Sequence, residues 1–561
     1  MTGKRCWDVI VDAMEKEGVR YVFGLPGHPG ALYDSLYDSG IEPVLVRHEA
    51  SGAFMAFAYS KLTREPGVCF GSPGPGVANL VSGVLEAWSG CQPLIALGGS
   101  ADTLSMGMGA FQETPQMEMM RPITKWSYRV PHPDKAAWAM NRAFSLSCNG
   151  RPGPVYIDVP FNVGMAETEE TKCVASTRPV RVRPDFEAVK TAADMLLASE
   201  RPVVVAGGGA HLSGAGPTLV ALAEMLGVPV LTTPSGRGCI PEAHPLAVGL
   251  VGLYRTKVGK RLFQGADLMM TLGSRNEEFQ TAGWSYYPED AKYIQVDIDA
   301  DELGRNWRPD LPVAADAKLF LVDLIQVLGE KVGKKPLEEM PRVKSIVEAK
   351  EAFIAEVEAE VMAEKLVKSK RVVYEANRVF GGGTVLVNEN GSQDLWSYYY
   401  PYYRVLDYDC CVAPAEQTCM GLGVAGAIGA KLAVPDRKVT CITGDGAFQM
   451  GMKELPTAVQ YGAPVTWIVL NNYSLGWIKL HQWANEERYI SVDYDAQPDF
   501  AKVAEACGCY GEQVTRVGDI RGSLERALKK NGDGVPAVLD YVVESMDFPD
   551  GFKEFHPAIF G

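Results

Sequence analysis

Apolar residues follow two rhythms along this chain. Short β-rich runs, nearly continuous in apolar side chains, alternate with longer stretches whose apolar positions recur at helical spacing. A first block, from about Lys4 to Pro160, holds YVFGL (Tyr21–Leu25), PVLVRH (Pro43–His48) and PVYIDVP (Pro154–Pro160). A second, from about Phe186 to Leu328, holds PVVVAGG (Pro202–Gly208), PVLTT (Pro229–Thr233), LMMTLGS (Leu268–Ser274) and YIQVDID (Tyr293–Asp299). A third, from about Arg371 to Glu544, holds TVLVNEN (Thr384–Asn390), KVTCITGDG (Lys438–Gly446), PVTWIVLNN (Pro464–Asn472) and AVLDYVV (Ala537–Val543). Strands alternating with helices predict βαβ series and parallel sheets, so the expected class is α/β with three doubly wound parallel-sheet domains. The opening MTGKRCWDVIVDAMEKEG reads as an amphipathic helix rather than a signal peptide. The polar segment Glu167–Pro184 reads as a linker, and the charged helical stretch Glu330–Lys370 as a crossing to the third block. The aromatic, Pro-rich end Ser545–Gly561 reads as a docked tail or lid.

Composition narrows the class. A chain of 561 residues exceeds what one core supports, so about three domains are expected. The 58 Gly and 36 Pro suit the many tight turns of layered α/β proteins. A net charge of −15 argues against a nucleic-acid partner and gives no support to an anionic membrane surface. No apolar run approaches the ~20 residues needed to span a bilayer. The 12 cysteines include no CxxC pair, and their scatter predicts reduced core residues and a cytoplasmic location.

The third block carries the clearest chemistry. The strand Lys438–Thr443 ends in Gly444-Asp445-Gly446, a helical segment Phe448–Tyr461 follows, and the strand Val465–Leu470 ends in Asn471-Asn472. Ligands bind in the crevice at the carboxyl ends of such strands. Gly444 and Gly446 let the backbone approach an anion. Asp445 and Asn472 are hard oxygen donors that, with a backbone carbonyl and phosphate oxygens, suit Mg²⁺. A lone GDG is common in turns; the strand–GDG–helix–strand–NN unit, with 27 positions from Asp445 to Asn472, is specific.

On this unit the chain resembles the thiamine-diphosphate (ThDP) enzymes, and the resemblance extends over nearly its whole length. It implies a pyrimidine-binding domain at 1–165, a central domain at 186–330, a diphosphate-binding domain at 371–545 and a tail at 546–561. It makes Asp445, the Asn472 side chain and the Ser474 carbonyl magnesium ligands, with Gly444, Gly446, Ala447, Leu475 and Gly476 around the diphosphate. Gly391, Ser392 and Gln393 look like a second diphosphate loop. Met420, 25 positions before Asp445, stands where the family keeps the apolar prop of the cofactor, and the Thr418 carbonyl would receive its amino group. Glu49, in Arg47-His48-Glu49, would by position be a helix N-terminal charge. In the family such a glutamate hydrogen-bonds the aminopyrimidine and starts the proton exchange that activates the thiazolium, a task suited to a carboxyl in a dry pocket. Ser72–Asn79, with Pro75 and Asn79, looks like the loop that packs on the pyrimidine.

Other stretches bear on the reaction. Ala110–Pro115 (AFQETP), with Ile123-Thr124-Lys125, looks like the substrate-side loop of acetolactate synthase catalytic subunits, which places Phe111 and Gln112 near the reacting carbonyl. The same region and Tyr293–Gly304 also resemble 2-hydroxyacyl-CoA lyases, oxalyl-CoA decarboxylases and sulfoacetaldehyde acetyltransferases. His28 lies on a loop that reaches the active site in this family, where an imidazole could shuttle protons or simply bond locally. His481, nine positions after Asn472, replaces the tryptophan with which acetolactate synthases select their second 2-oxo acid. The middle block reads Arg275-Asn276-Glu277-Glu278-Phe279 where FAD-binding relatives carry Arg-Phe-Asp-Asp-Arg, which counts against FAD. Gly207-Gly208-Gly209 leaves a nucleotide such as FAD or ADP open beside a purely structural turn. Trp396–Tyr403 could line a substrate pocket or pack under a loop. The expected activity is ThDP- and Mg²⁺-dependent decarboxylation or carboligation of a 2-oxo acid or aldehyde. The alternatives are an acyl-CoA lyase and a catalytically silent nucleotide-binding assembly protein. The family's shared cleft implies a homodimer at least, and commonly a tetramer.

Overall fold

The computed structural model describes residues 3–27, 31–169, 172–176, 181–333 and 335–556. Three six-stranded, wholly parallel sheets organise them. The first runs in the order Glu42–Leu45, Tyr21–Gly24, Gly67–Gly71, Leu94–Ser100, Pro154–Pro160, Trp126–Arg129. The second runs Ala247–Leu250, Val230–Thr232, Pro202–Ala206, Leu268–Leu272, Lys292–Asp297, Leu311–Ala314. The third runs Cys411–Val412, Thr384–Asn388, Lys438–Gly444, Thr466–Asn471, Ala537–Val542, Tyr510–Val514. The expected α/β class with three parallel sheets is what forms. The chain packs as two compact units. One is Met1–Val180 with Gln417–Pro435 and Met450–Ala463; the other is Arg181–Glu416 with Asp436–Gln449 and Pro464–Gly561.

Within the first unit the opening segment is helical over Cys6–Lys16, burying Trp7, Ile10 and Met14 against Phe70, Ile95 and Leu97. Asp8 fixes its start by accepting from the Arg5 amide at 2.8 Å, the reach-back of a capping box. The segment expected to be all linker begins as a strand: Glu167–Thr168 pairs antiparallel with Lys4–Arg5, because the two edges bring complementary backbone groups together. The stretch Glu330–Lys370 is indeed helical over Pro341–Ala363, and the next helix starts at Ser369. The single helix expected over Phe448–Tyr461 is instead two short ones, Asp445–Gly451 and Leu455–Gln460, separated by a tight 3₁₀ turn that Pro456 follows.

The helix Glu49–Thr63 is buried on nearly every face. Such a helix must meet its neighbours backbone to backbone, and glycines on three of them allow it. An added Cβ would stand 2.2 Å from the Ala56 oxygen at Gly67, 2.3 Å from the Ala53 Cβ at Gly83, and 2.2 Å from the Met55 oxygen at Gly429. Because the obstacle at Gly429 is rigid backbone, Gly429→Ala is expected to cost about 3 kcal/mol, lowering the thermal-unfolding midpoint by several degrees. Gly329→Ala, which meets nothing within 4 Å, should leave the midpoint in place.

Candidate active site

In the second unit, Lys438–Gly444 and Thr466–Asn471 are adjacent parallel strands with Gly444 opposite Leu470. That register brings Asp445 and Asn472 to the same carboxyl-end crevice. Asp445 is only 1% exposed. Its Oδ1 accepts from the Gly446 amide at 3.0 Å and its Oδ2 from Gln497 Nε2 at 2.8 Å. Burial nevertheless pushes its carboxyl up to about 6, since its neutral hydrogen-bond donors do not offset the lost hydration. Asn471 is held by Asp540, to which its amide donates at 2.9 Å. Asn472 is turned differently. Its Oδ1 accepts from the Ser474 amide at 3.3 Å, while its Nδ2 is buried with no hydrogen-bond partner among the described residues. Ser474 Oγ and Gln449 Nε2 are orphaned in the same way. Tyr473 bends the chain between them with a φ of 56°, a costly conformation for a non-glycine residue.

The second loop meets the first here. An added Cβ at Gly476 would stand 2.1 Å from Ser392 Oγ and 2.8 Å from Asn472 Nδ2, so the glycine leaves a cradle of polar groups open. Ala447 is buried, and the Leu475 amide donates to the Val492 carbonyl at 2.8 Å. Gln393 turns its side chain away: its Nε2 donates to the Ser545 carbonyl at 2.8 Å and its Oε1 accepts from Ser369 at 2.6 Å. Gly391, Ser392, Asp445, Asn472, Ser474 and Gly476 thus surround buried amide and hydroxyl groups that lack protein partners. Buried polar atoms are rarely left so. Hard oxygen donors beside orphaned N–H and O–H groups fit a divalent cation with an attached diphosphate.

In the first unit, Glu49 opens its helix, capped by His48, whose Nδ1 accepts from the Ala50 amide at 3.2 Å. His48 is therefore a structural cap, and burial lowers its pKa. Glu49 is 5% exposed, and Asn79 Nδ2 donates to its Oε2 at 2.9 Å. Gly76, beside Pro75 at the next helix start, leaves Glu49 Oε1 open: a Cβ there would stand 3.2 Å from it. The turn is braced from below, where the Gly74 amide donates to Gln116 Oε1 at 3.2 Å and Gln116 Nε2 donates to buried Asp158. Gln112 adopts a φ of 57° with its Oε1 buried and without a partner among the described residues, whereas Phe111 is 75% exposed. Thr418, also at positive φ (48°), precedes Cys419, whose amide donates to buried Glu86 at 2.9 Å. Met420 is half-buried.

His28 lies outside the described residues. His481 is exposed on the helix Gly476–Ala484 and meets His556 edge-on with ring centroids 5.2 Å apart. The tail is docked there: the helix Asp550–Phe555 packs on Trp477, whose ring lies 4.9 Å from Phe552. The aromatic stretch is buried, with Tyr398 stacked on Tyr254 at 4.7 Å. Gly207 and Gly209 donate their amides to Leu272 and Gly273 at 2.9 Å each, and a Cβ at Gly207 would stand 2.2 Å from the Gly273 oxygen. That glycine run joins two strand ends. Gln497, Gln449 and Gln116 were not foreseen. Isolated amides carry no motif, and only the fold brings them to the site.

Comparison with known proteins agrees with this geometry. The N-terminal TPP-binding domain of the thiamine pyrophosphate enzymes matches residues 4–119, their central domain 189–324 and their C-terminal TPP-binding domain 390–541. The chain is 34% identical over 556 residues to a probable acetolactate synthase large subunit of Methanocaldococcus jannaschii, covering 96% of this chain and 91% of that protein. It is 30% identical over 554 residues to the acetolactate synthase isozyme 3 large subunit of Escherichia coli, covering 96% and 95%. A likeness that spans both chains and meets the Asp445–Asn472 crevice and the buried Glu49 makes this protein a member of the thiamine pyrophosphate enzyme family, related along its full length to acetolactate synthase large subunits.

Proposed function

We propose that the protein decarboxylates a 2-oxo acid and joins the retained fragment to a second 2-oxo acid or an aldehyde, with ThDP and Mg²⁺ as cofactors. The observation that carries this reading is the set of orphaned buried groups around Asp445, Asn472 and Ser474, a polar cradle suited to a metal-bound diphosphate. Asp445, the Asn472 amide oxygen and the Ser474 carbonyl would hold the cation; Ser392, Gly446 and the orphaned amides would contact the diphosphate. When bound, ThDP supplies a nucleophilic carbon and an electron sink for carbon–carbon cleavage and formation.

The chain's own residues do the rest. Glu49 holds and moves a proton at its Oε1, the oxygen that Asn79 leaves unengaged. Asn79 fixes the carboxylate's orientation. Thr418 and Met420 shape the seat of the cofactor. Gln112, with a buried carbonyl lacking a donor, orients the substrate, and Phe111 excludes water from it. His481 leaves the acceptor pocket different from one closed by tryptophan. In the central sheet the Gly207 and Gly209 amides are already engaged, which favours a structural role for that glycine run.

The absence of disulfides among the described cysteines suits a reducing compartment such as the cytoplasm. Leu104, Met108 and Phe111 are 85%, 79% and 75% exposed on one loop, which suits burial against a second copy. Light scattering should return a mass at least twice 60.9 kDa; a monomer at micromolar concentration would contradict the shared cleft.

Incubation with ThDP, Mg²⁺ and pyruvate should yield acetolactate or acetoin by mass. Glu49→Gln, which keeps the shape and removes the proton site, should lower the rate by about 10²–10⁴-fold. Product formed equally by both proteins would remove Glu49 from the mechanism. ThDP binding without pyruvate consumption would move the substrate to another aldehyde or an acyl-CoA.

A further inference from the structure

The geometry points to Gln497 as the positioning residue of the metal centre. It fixes the Asp445 carboxylate through its amide nitrogen and offers its carbonyl to the water shell of the cation. The inference rests on the metal reading above and goes beyond it, since Gln497 belongs to no motif and stands 52 residues from its partner.

Two features separate Gln497 from an incidental neighbour. Its Nε2 donates to Asp445 Oδ2 at 2.8 Å, the only side-chain hydrogen bond Asp445 makes among the described residues. Its Oε1 is buried with no donor opposite it among the described residues. An amide half satisfied in this way is costly, and the missing partner is a donor. Magnesium sheds its water reluctantly and keeps several of its aqua ligands, each a strong donor.

Gln497 is also placed on both sides by packing. Upstream, the Leu475 amide donates to the Val492 carbonyl at 2.8 Å and the Tyr494 amide to the Tyr473 carbonyl at 2.9 Å, so this segment is stitched to the very loop that carries Asn472 and Ser474. Downstream, Phe500 meets Phe448 edge-on at 5.2 Å, three residues beyond Asp445. The amide is thus held over the carboxylate before any cation arrives. Partners of this kind behind metal ligands typically contribute about 10–100-fold in affinity.

The test is Mn²⁺ binding to the full-length protein with saturating ThDP, read from the electron paramagnetic resonance signal of free Mn²⁺, an ion that shares the oxygen preference of Mg²⁺. Gln497→Met keeps the reach of the side chain and removes both polar groups, and Gln497→Ala removes the side chain beyond Cβ. Both should weaken Mn²⁺ binding by about 10-fold or more. Gln482→Ala breaks the pair of hydrogen bonds that ties the same segment at Ile490 without touching Asp445, and should bind Mn²⁺ like the unmutated protein. Circular dichroism confirms that each variant is folded.

Unchanged affinity in folded Gln497 variants would overturn the inference. So would an equal loss in Gln482→Ala, which would assign the effect to segment order rather than to the amide. If the unmutated protein shows no Mn²⁺ binding that Asp445→Asn abolishes, the metal reading itself fails, and this inference with it.

Discussion

Burying Asp445 is the constraint around which the second unit is arranged. An ionised carboxylate taken from water loses more hydration than neutral donors return, and its carboxyl is accordingly pushed up to about 6. A protein keeps such a group only if a cation or a proton compensates it. Parallel strand ends solve the geometric half of the problem. The pairing of Gly444 with Leu470 delivers an acid and an amide to one point, and Gly476 leaves the space that a Cβ would close. Tyr473, held at a φ of 56°, marks where backbone strain is accepted so that Asn472 and Ser474 can face the same way.

The first unit obeys a steric constraint. Its buried helix carries Glu49 at the N-terminal end, and glycines at 67, 83 and 429 let three neighbours approach its backbone closely. Packing this dense leaves the carboxylate little freedom, and Asn79 removes the rest. Gln112 and Thr418 in the same unit take positive φ values, as do Arg64 and Cys91.

Much of this was legible in the chain. Nearly continuous apolar runs mark buried parallel strands, and the run Pro154–Pro160 forms a strand over its full length. The two apolar runs that end at Asp445 and Asn472 form adjacent parallel strands, so the crevice they share was legible in the chain. What stayed hidden has physical causes. Short edge strands such as Cys411–Val412 and Leu311–Ala314 carry too few residues for a period to register. The break near Pro456 is a local tightening that helical periodicity does not register. Gln497 reaches Asp445 only after the intervening strands and helices fold, and the separate fates of Asn471 and Asn472 depend on Asp540 from a neighbouring strand. The pair Glu167–Thr168 with Lys4–Arg5 likewise arises from tertiary proximity.

Calorimetric titration of the full-length protein with ThDP, with Mg²⁺ and then with the metal chelated, tests the central claim most directly. One ThDP is expected to bind per chain when Mg²⁺ is present, with binding weakened by orders of magnitude when it is removed, because the diphosphate would reach the Asp445 crevice through the cation. Equal affinity with and without the metal would contradict it.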